Sequence, residues 1–142
     1  MATLSELYQG VIIEHDRSPR NFRTLAAASH RAEGHNPLCG DDVSLELQVT
    51  EAGQIIDAAF QGRGCAVSKA SASLLTTAVK GKTVAEAREL FDGFHGLLTG
   101  HPVPGAQLGK LEVFAGLAAY PMRVKCATLP WHAMKQALDE PK

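Results

Sequence analysis

Long hydrophobic runs are missing from this sequence; none approaches the roughly 20 apolar residues that a bilayer-spanning helix needs. The opening residues Met1-Ala2-Thr3-Leu4-Ser5-Glu6 have neither the basic nor the apolar stretch of a secretory leader. These two absences lead us to expect a cytoplasmic protein with no membrane contact. An excess of one charge is missing as well. The 14 Lys and Arg nearly balance the 15 Asp and Glu, and the two signs are mixed along the chain. Without a basic stripe, nucleic acid is not an expected partner. There is no internal repeat and no low-complexity tract. Cysteine is scarce: Cys39, Cys65 and Cys126 are an odd set with no C-x-x-C pair. In a reducing compartment that pattern excludes a disulfide framework and leaves metal binding or thiol chemistry. The 142 residues, 45% of them hydrophobic, are enough to bury one core, so residues 1–142 are expected to form a single domain.

Leu4, Leu7, Tyr8, Val11 and Ile12 recur at helical spacing behind a Thr3/Glu6 capping box, which predicts a first helix ending before Ser18-Pro19. Residues 20–38 show no sustained period and read as an ordered loop. Val43, Leu45, Leu47 and Val49 then alternate with polar residues, a strand signal, and Glu51 to Gln54 form a turn into a second strand with Ile56, Ala58 and Phe60 on one face. A four-residue loop sets Val49 opposite Ile56, Leu47 opposite Ala58 and Leu45 opposite Phe60. Extended outward, this register brings Cys39, Asp41 and Cys65 to one end of the hairpin.

Behind Cys65 the period becomes helical through Val67, Ala70, Leu74 and Ala78, stopping at Gly81. Thr83 and Glu86 form a second capping box, opening a helix weakened by Gly93 and Gly96. Residues 100–105 read as a rigid connector, and Leu111, Phe114, Leu117 and Ala118 predict a short helix before Pro121. A last helix is expected over residues 127–138, with Pro130 in its first turn and Cys126 at its start. The fold class is therefore α+β: a small antiparallel sheet, the hairpin with room for a third strand, packed against several helices.

Zinc takes four tetrahedral ligands from thiolate, imidazole and carboxylate, and Cys39, Asp41, Cys65 and Cys126 make such a set. Helix starts favour thiolates, and Arg123 and Lys125 are placed to offset the negative charge of the set. His35, four residues before Cys39, is a substitute for Asp41; His15, His30, His95, His101 and His132 have weaker claims. The competing readings are three cysteines filling the core as small hydrophobes, a Cys39–Cys65 disulfide formed on oxidation, and a Cys-His nucleophile for which no histidine is singled out.

Read together, the Leu7-Tyr8 helix with Ser18-Pro19-Arg20-Asn21, Cys39-Gly40-Asp41, Gly62-Arg63-Gly64-Cys65-Ala66-Val67-Ser68 and Arg123-Val124-Lys125-Cys126-Ala127-Thr128-Leu129 resemble the U-type iron–sulfur cluster assembly proteins, and the SufU branch more than the IscU or NifU branch. Lys125 stands where the IscU branch carries a histidine. Ala119-Tyr120-Pro121-Met122-Arg123 replaces that branch's chaperone-recognition motif, and the stretch from Thr83 to Tyr120 is the longer insertion typical of SufU-like proteins. The resemblance implies the SufE/NifU (IscU-like) fold, with Cys39, Asp41, Cys65 and Cys126 as ligands of Zn2+ and Cys39 as persulfide acceptor from a SufS-type cysteine desulfurase. The implied activity is that of a zinc-dependent sulfurtransferase feeding the downstream Suf cluster-assembly machinery. Arg123 is the expected assisting residue, for positioning or charge compensation. Two alternatives stay open: a scaffold holding iron or a nascent [2Fe–2S] cluster on the same ligands, and an adaptor with a purely structural zinc.

Overall fold

The computed structural model describes residues 4–36, 40–101, 103–105 and 108–139, with side chains from residue 9 onward. Its elements in order are α1 (Leu4–Arg17), β1 (His30–Asn36), β2 (Asp41–Val49), β3 (Ile55–Arg63), α2 (Ala66–Val79), α3 (Val84–Thr99), a 3-10 helix (Gly109–Ala119) and α4 (Pro121–Asp139). The three strands form one antiparallel sheet in the order β1-β2-β3. The Thr3/Glu6 capping box and the Leu4, Leu7 and Tyr8 side chains lie outside the described residues, and α1 itself ends where Ser18-Pro19 predicts.

Alternation in β2 places Asp41, Val43, Leu45 and Leu47 on the buried face. The hairpin register is the expected one at Leu45↔Phe60 and Leu47↔Ala58, but a bulge between Gln48 and Val49 sets Val49 opposite Ile55 instead of Ile56. The extra residue inverts the start of β3. Ile55 is fully buried there, and Ile56 is 50% exposed.

The segment read as a loop contains the third strand. His30 to Asn36 carry no β-branched or aromatic residue. The strand's inward positions Ala32, Gly34 and Asn36 are small because α4 crosses close above them: a Cβ on Gly34 would sit 3.0 Å from Leu129 Cδ1. Ahead of β1, Asn21 takes a left-handed φ of 61°, and its carbonyl accepts the Phe60 N–H while the Phe60 carbonyl accepts the Arg23 N–H. This short stretch covers the open edge of β3.

Helix α2 is buried on its polar as well as its apolar side, and Ser68, Ser71, Ser73 and Thr76 all belong to the interior. Buried hydroxyls need partners, and here they fasten neighbouring segments. The Ser73 hydroxyl accepts the Arg20 N–H at 2.8 Å and meets His15 Nδ1 at 2.7 Å, while Thr76 Oγ1 accepts from Asn21 Nδ2 at 3.1 Å.

The Thr83/Glu86 capping box opens α3 as expected. Gly93 and Gly96 do not interrupt it. A Cβ on Gly96 would stand 2.4 Å from the His101 carbonyl, so the glycine admits the returning connector. Leu111, Phe114 and Leu117, three residues apart, are buried at the three-residue period of the 3-10 helix, and Ala118 is exposed. Helix α4 begins at Pro121, six residues earlier than residue 127. Proline at the first helical position is favourable, and the Arg123-Val124-Lys125 run continues the helix without a break. Cys126 therefore lies in the second turn, and Pro130 lies inside the helix.

Burial holds the pKa of His15 below the usual histidine value of 6.5, with Arg20 adding repulsion of a second positive charge; burial does the same for His30, and burial followed by His95 and Lys135 for His132. A base whose pKa is lowered on folding binds protons more readily in the unfolded chain. Stability from these groups is therefore present above pH 6.5 and is lost as pH falls through the lowered folded values. The melting temperature is expected to drop between pH 7.5 and pH 5.5, and His15→Gln, which cannot be protonated, should reduce that drop. An identical pH dependence in both proteins would remove His15 from this account.

Candidate metal centre

Three donors converge where β2 begins, α2 begins and α4 passes over them. One oxygen of Asp41 and the sulfurs of Cys65 and Cys126 lie within 4.8 Å of one another. Asp41 is the first residue of β2 and shares the inward row of Val43, Leu45 and Leu47; its exposure is zero. A carboxyl group buried in such a row must be satisfied by neighbouring polar groups. Oδ1 accepts the Cys65 backbone N–H at 2.8 Å, and Oδ2 faces Cys65 Sγ at 3.7 Å. One oxygen is thus anchored by the backbone, which leaves the other turned toward the thiols.

Cys65 is the N-cap of α2, and its sulfur accepts the Ser68 N–H at 3.5 Å. A negative sulfur strengthens that contact and gains from the positive end of the helix dipole. Cys126, 1% exposed, comes from the second turn of α4, where the dipole acts much more weakly than at a helix start. Gly62 and Gly64 make room for the carboxylate and its strand. Gly62 has a φ of 146°, and a Cβ there would stand 2.1 Å from the Asp42 carbonyl; a Cβ on Gly64 would stand 2.3 Å from Asp41 Oδ1.

The donor set fits a small thiophilic cation. Around zinc with about 2.3 Å metal–sulfur bonds, neighbouring ligand atoms in a tetrahedron are about 3.8 Å apart, so donors already within 4.8 Å need only a small closing movement. Cys39, the expected fourth donor, lies outside the described residues. Gly40 beside it is exposed and left-handed at φ 69°, with open space around its Cα. His35 does not join the cluster. It is paired across the strands with Asp42 on the outward face, where its ring meets the Asp42 carboxylate and, joined by Arg63 and opposed by burial, holds the Asp42 pKa below the usual carboxylate range. Arg123 and Lys125 are exposed on the first turns of α4, Arg123 one turn before Cys126. Ser71 and Trp131, which hold α2 and α4 together beside the thiols, gave no sequence signal; a serine in an apolar helical stripe and a tryptophan after proline are both commonplace.

A three-stranded antiparallel sheet with helices packed on it, carrying two thiols and a carboxylate at one end of the hairpin, defines a class of small α+β proteins whose sulfur-rich donor group could hold a metal. The sequence profile of the NifU-like N-terminal domain matches residues 7–138, and the chain belongs to that family, whose work is iron–sulfur cluster assembly. It is 39% identical over 139 residues to an iron–sulfur cluster assembly scaffold protein IscU of Streptococcus pyogenes serotype M1, covering 97% of this chain and 86% of that one. It is 37% identical over 139 residues to the zinc-dependent sulfurtransferase SufU of Bacillus subtilis, covering 96% and 92%. A crystal structure from Fervidobacterium islandicum AW-1, described as a cluster assembly scaffold protein for the SUF system, superposes with a TM-score of 0.87 at 32% identity over 93% of this chain and 96% of that one. Among the described residues, no helix is long and apolar enough to cross a membrane.

The contact at Gly64 yields a direct test. Gly64→Ala should push the Asp41 carboxylate off its anchor and weaken zinc retention about 10- to 100-fold against a competing chelator, at a cost of roughly 2 kcal/mol in stability. Undiminished zinc retention in a folded Gly64→Ala protein would show that the carboxylate takes no part in metal binding.

Proposed function

We propose that this protein is a zinc-dependent sulfurtransferase that accepts persulfide sulfur from a SufS-type cysteine desulfurase and passes it toward iron–sulfur cluster assembly. The observation that carries this reading is the convergence of Asp41, Cys65 and Cys126 within 4.8 Å. Cys39 is read as the fourth ligand, because it stands two residues before Asp41 in the sequence. Support also comes from the Bacillus subtilis relative that bears this activity in its name, and from Lys125 at the position where a histidine ligand is otherwise expected.

Bound zinc holds thiols deprotonated at neutral pH without redox chemistry of its own. The roles of the chain's residues then separate. Asp41 is fixed by the Cys65 N–H and Cys65 by the start of α2, while Cys126 is buried on the second turn of α4. Cys39 adjoins an exposed glycine and is the ligand we assign to sulfur transfer. Its thiolate attacks the outer sulfur of the donor persulfide; a new S–S bond forms to Cys39, the donor's S–S bond breaks, and the donor cysteine leaves as thiolate with the electron pair. No oxidant is consumed. Arg123, exposed one turn before Cys126, is assigned to charge compensation or to orienting the incoming persulfide.

A second reading, a scaffold for a nascent [2Fe–2S] cluster on the same residues, is favoured by the name of the Streptococcus relative. The two separate on measurement. A sulfurtransferase should be purified with about one zinc per chain, stimulate the desulfurase, and lose sulfur acceptance roughly 100-fold or more on Cys39→Ala, as expected when a nucleophile is removed. Full sulfur acceptance by Cys39→Ala would sink the sulfurtransferase reading, and a transferable cluster formed in competition with zinc would replace it with the scaffold.

A further inference from the structure

Helix α4 delivers Cys126 one turn before a proline inside the helix. Pro130, four residues after Cys126, lies inside the helix and has no N–H to add to its ladder. A helix with proline at this position opens locally, and the orientation of the preceding turn is then set by whatever else touches it. Here that contact comes from α2. The Ser71 hydroxyl, with zero exposure, donates to the carbonyl of Ala127, the residue after Cys126, at 2.5 Å. The same oxygen accepts the indole N–H of Trp131 at 3.1 Å. Trp131 is 1% exposed and is held in turn by stacking on Phe94 of α3 at 4.7 Å between ring centroids, while Phe94 meets Phe114 of the 3-10 helix edge to face at 5.5 Å.

Helix α2 begins at Cys65 and α4 carries Cys126, so a bond between these helices beside Cys126 acts on the separation of the two thiols. We infer that Ser71 is a positioning residue for the metal centre: its hydroxyl, clamped between the Ala127 carbonyl and the Trp131 indole, sets the distance and angle at which Cys126 faces Cys65 and Asp41. Ser71 touches neither metal nor substrate. The inference rests on the metal-site reading given above, and it assigns a task to the segment from residue 83 to residue 120, whose Phe94 and Phe114 back the tryptophan from behind.

Cobalt(II) in place of zinc reports ligand geometry through its ligand-field and thiolate charge-transfer bands. In the full-length protein, Ser71→Ala should shift these bands and weaken cobalt binding roughly tenfold or more, in the range typical of residues that orient metal ligands. Ile55→Ala, a core truncation at the end of the hairpin opposite Asp41 and Cys65, serves as the control: it should lower thermal stability while leaving the cobalt spectrum as in the wild type. Trp131→Phe keeps the stacked ring but removes the N–H that orients the hydroxyl, and should shift the bands in the same direction by less; it carries the test if Ser71→Ala does not fold. A wild-type-like spectrum and affinity in folded Ser71→Ala, or in Trp131→Phe in its place, would overturn the inference and leave the metal site standing. Failure of the wild type to bind cobalt at all would overturn both.

Discussion

A carboxyl group at zero exposure in a row of valine and leucine side chains is the constraint from which the rest of this molecule follows. Removing such a group from water costs several kcal/mol unless it gains strong partners. The Asp41 side chain finds one in the Cys65 N–H. That bond requires β3 to end, and α2 to start, within reach of the first residue of β2. It also requires Gly64 to have no side chain, since a methyl group would occupy the place of the carboxylate. On the free side of the carboxylate stand two sulfurs, and a cation among the three donors would supply the positive charge that the backbone does not.

Much of this was legible in the chain. The period-2 run of β2 and its register with β3 place Asp41 beside Cys65 without any tertiary information, because both follow from hairpin geometry. The capping signals of α2 and α3 were readable for the same reason: they are local. What could not be read depends on packing. Strand β1 has none of the usual strand-forming residues, and its small inward residues Ala32 and Gly34 answer to the proximity of α4 and Leu129, an encounter between residues nearly a hundred positions apart. The early start of α4 is hidden in the sequence because Pro130 reads as a first-turn proline, whereas Pro121 has that place. Ile55 and Ile56 exchanged faces because a bulge cannot be counted from composition.

The buried hydroxyls of α2 divide the labour of holding the centre. Ser73 and Thr76 look toward α1 and the 20–23 segment, which cover the edge of β3, while Ser71 looks toward α4. A helix usually packs through an apolar stripe alone, and here polar groups on its other faces add direction to what hydrophobic contact leaves free. The two sides also differ chemically. The α1 side contains a histidine kept neutral by burial and so responds to acid, whereas the α4 side consists of a hydroxyl, an indole and a carbonyl that do not titrate.

Helix α4 both covers the inward face of the sheet and brings the last thiol. The carboxylate and Cys65 are supplied by residues 41–65, but Cys126 arrives only with α4, 61 positions after Cys65. Until then the inward rows of β1 and β2 lack their cover. Covering the sheet and bringing Cys126 to Asp41 and Cys65 are consequently a single event, since one helix does both.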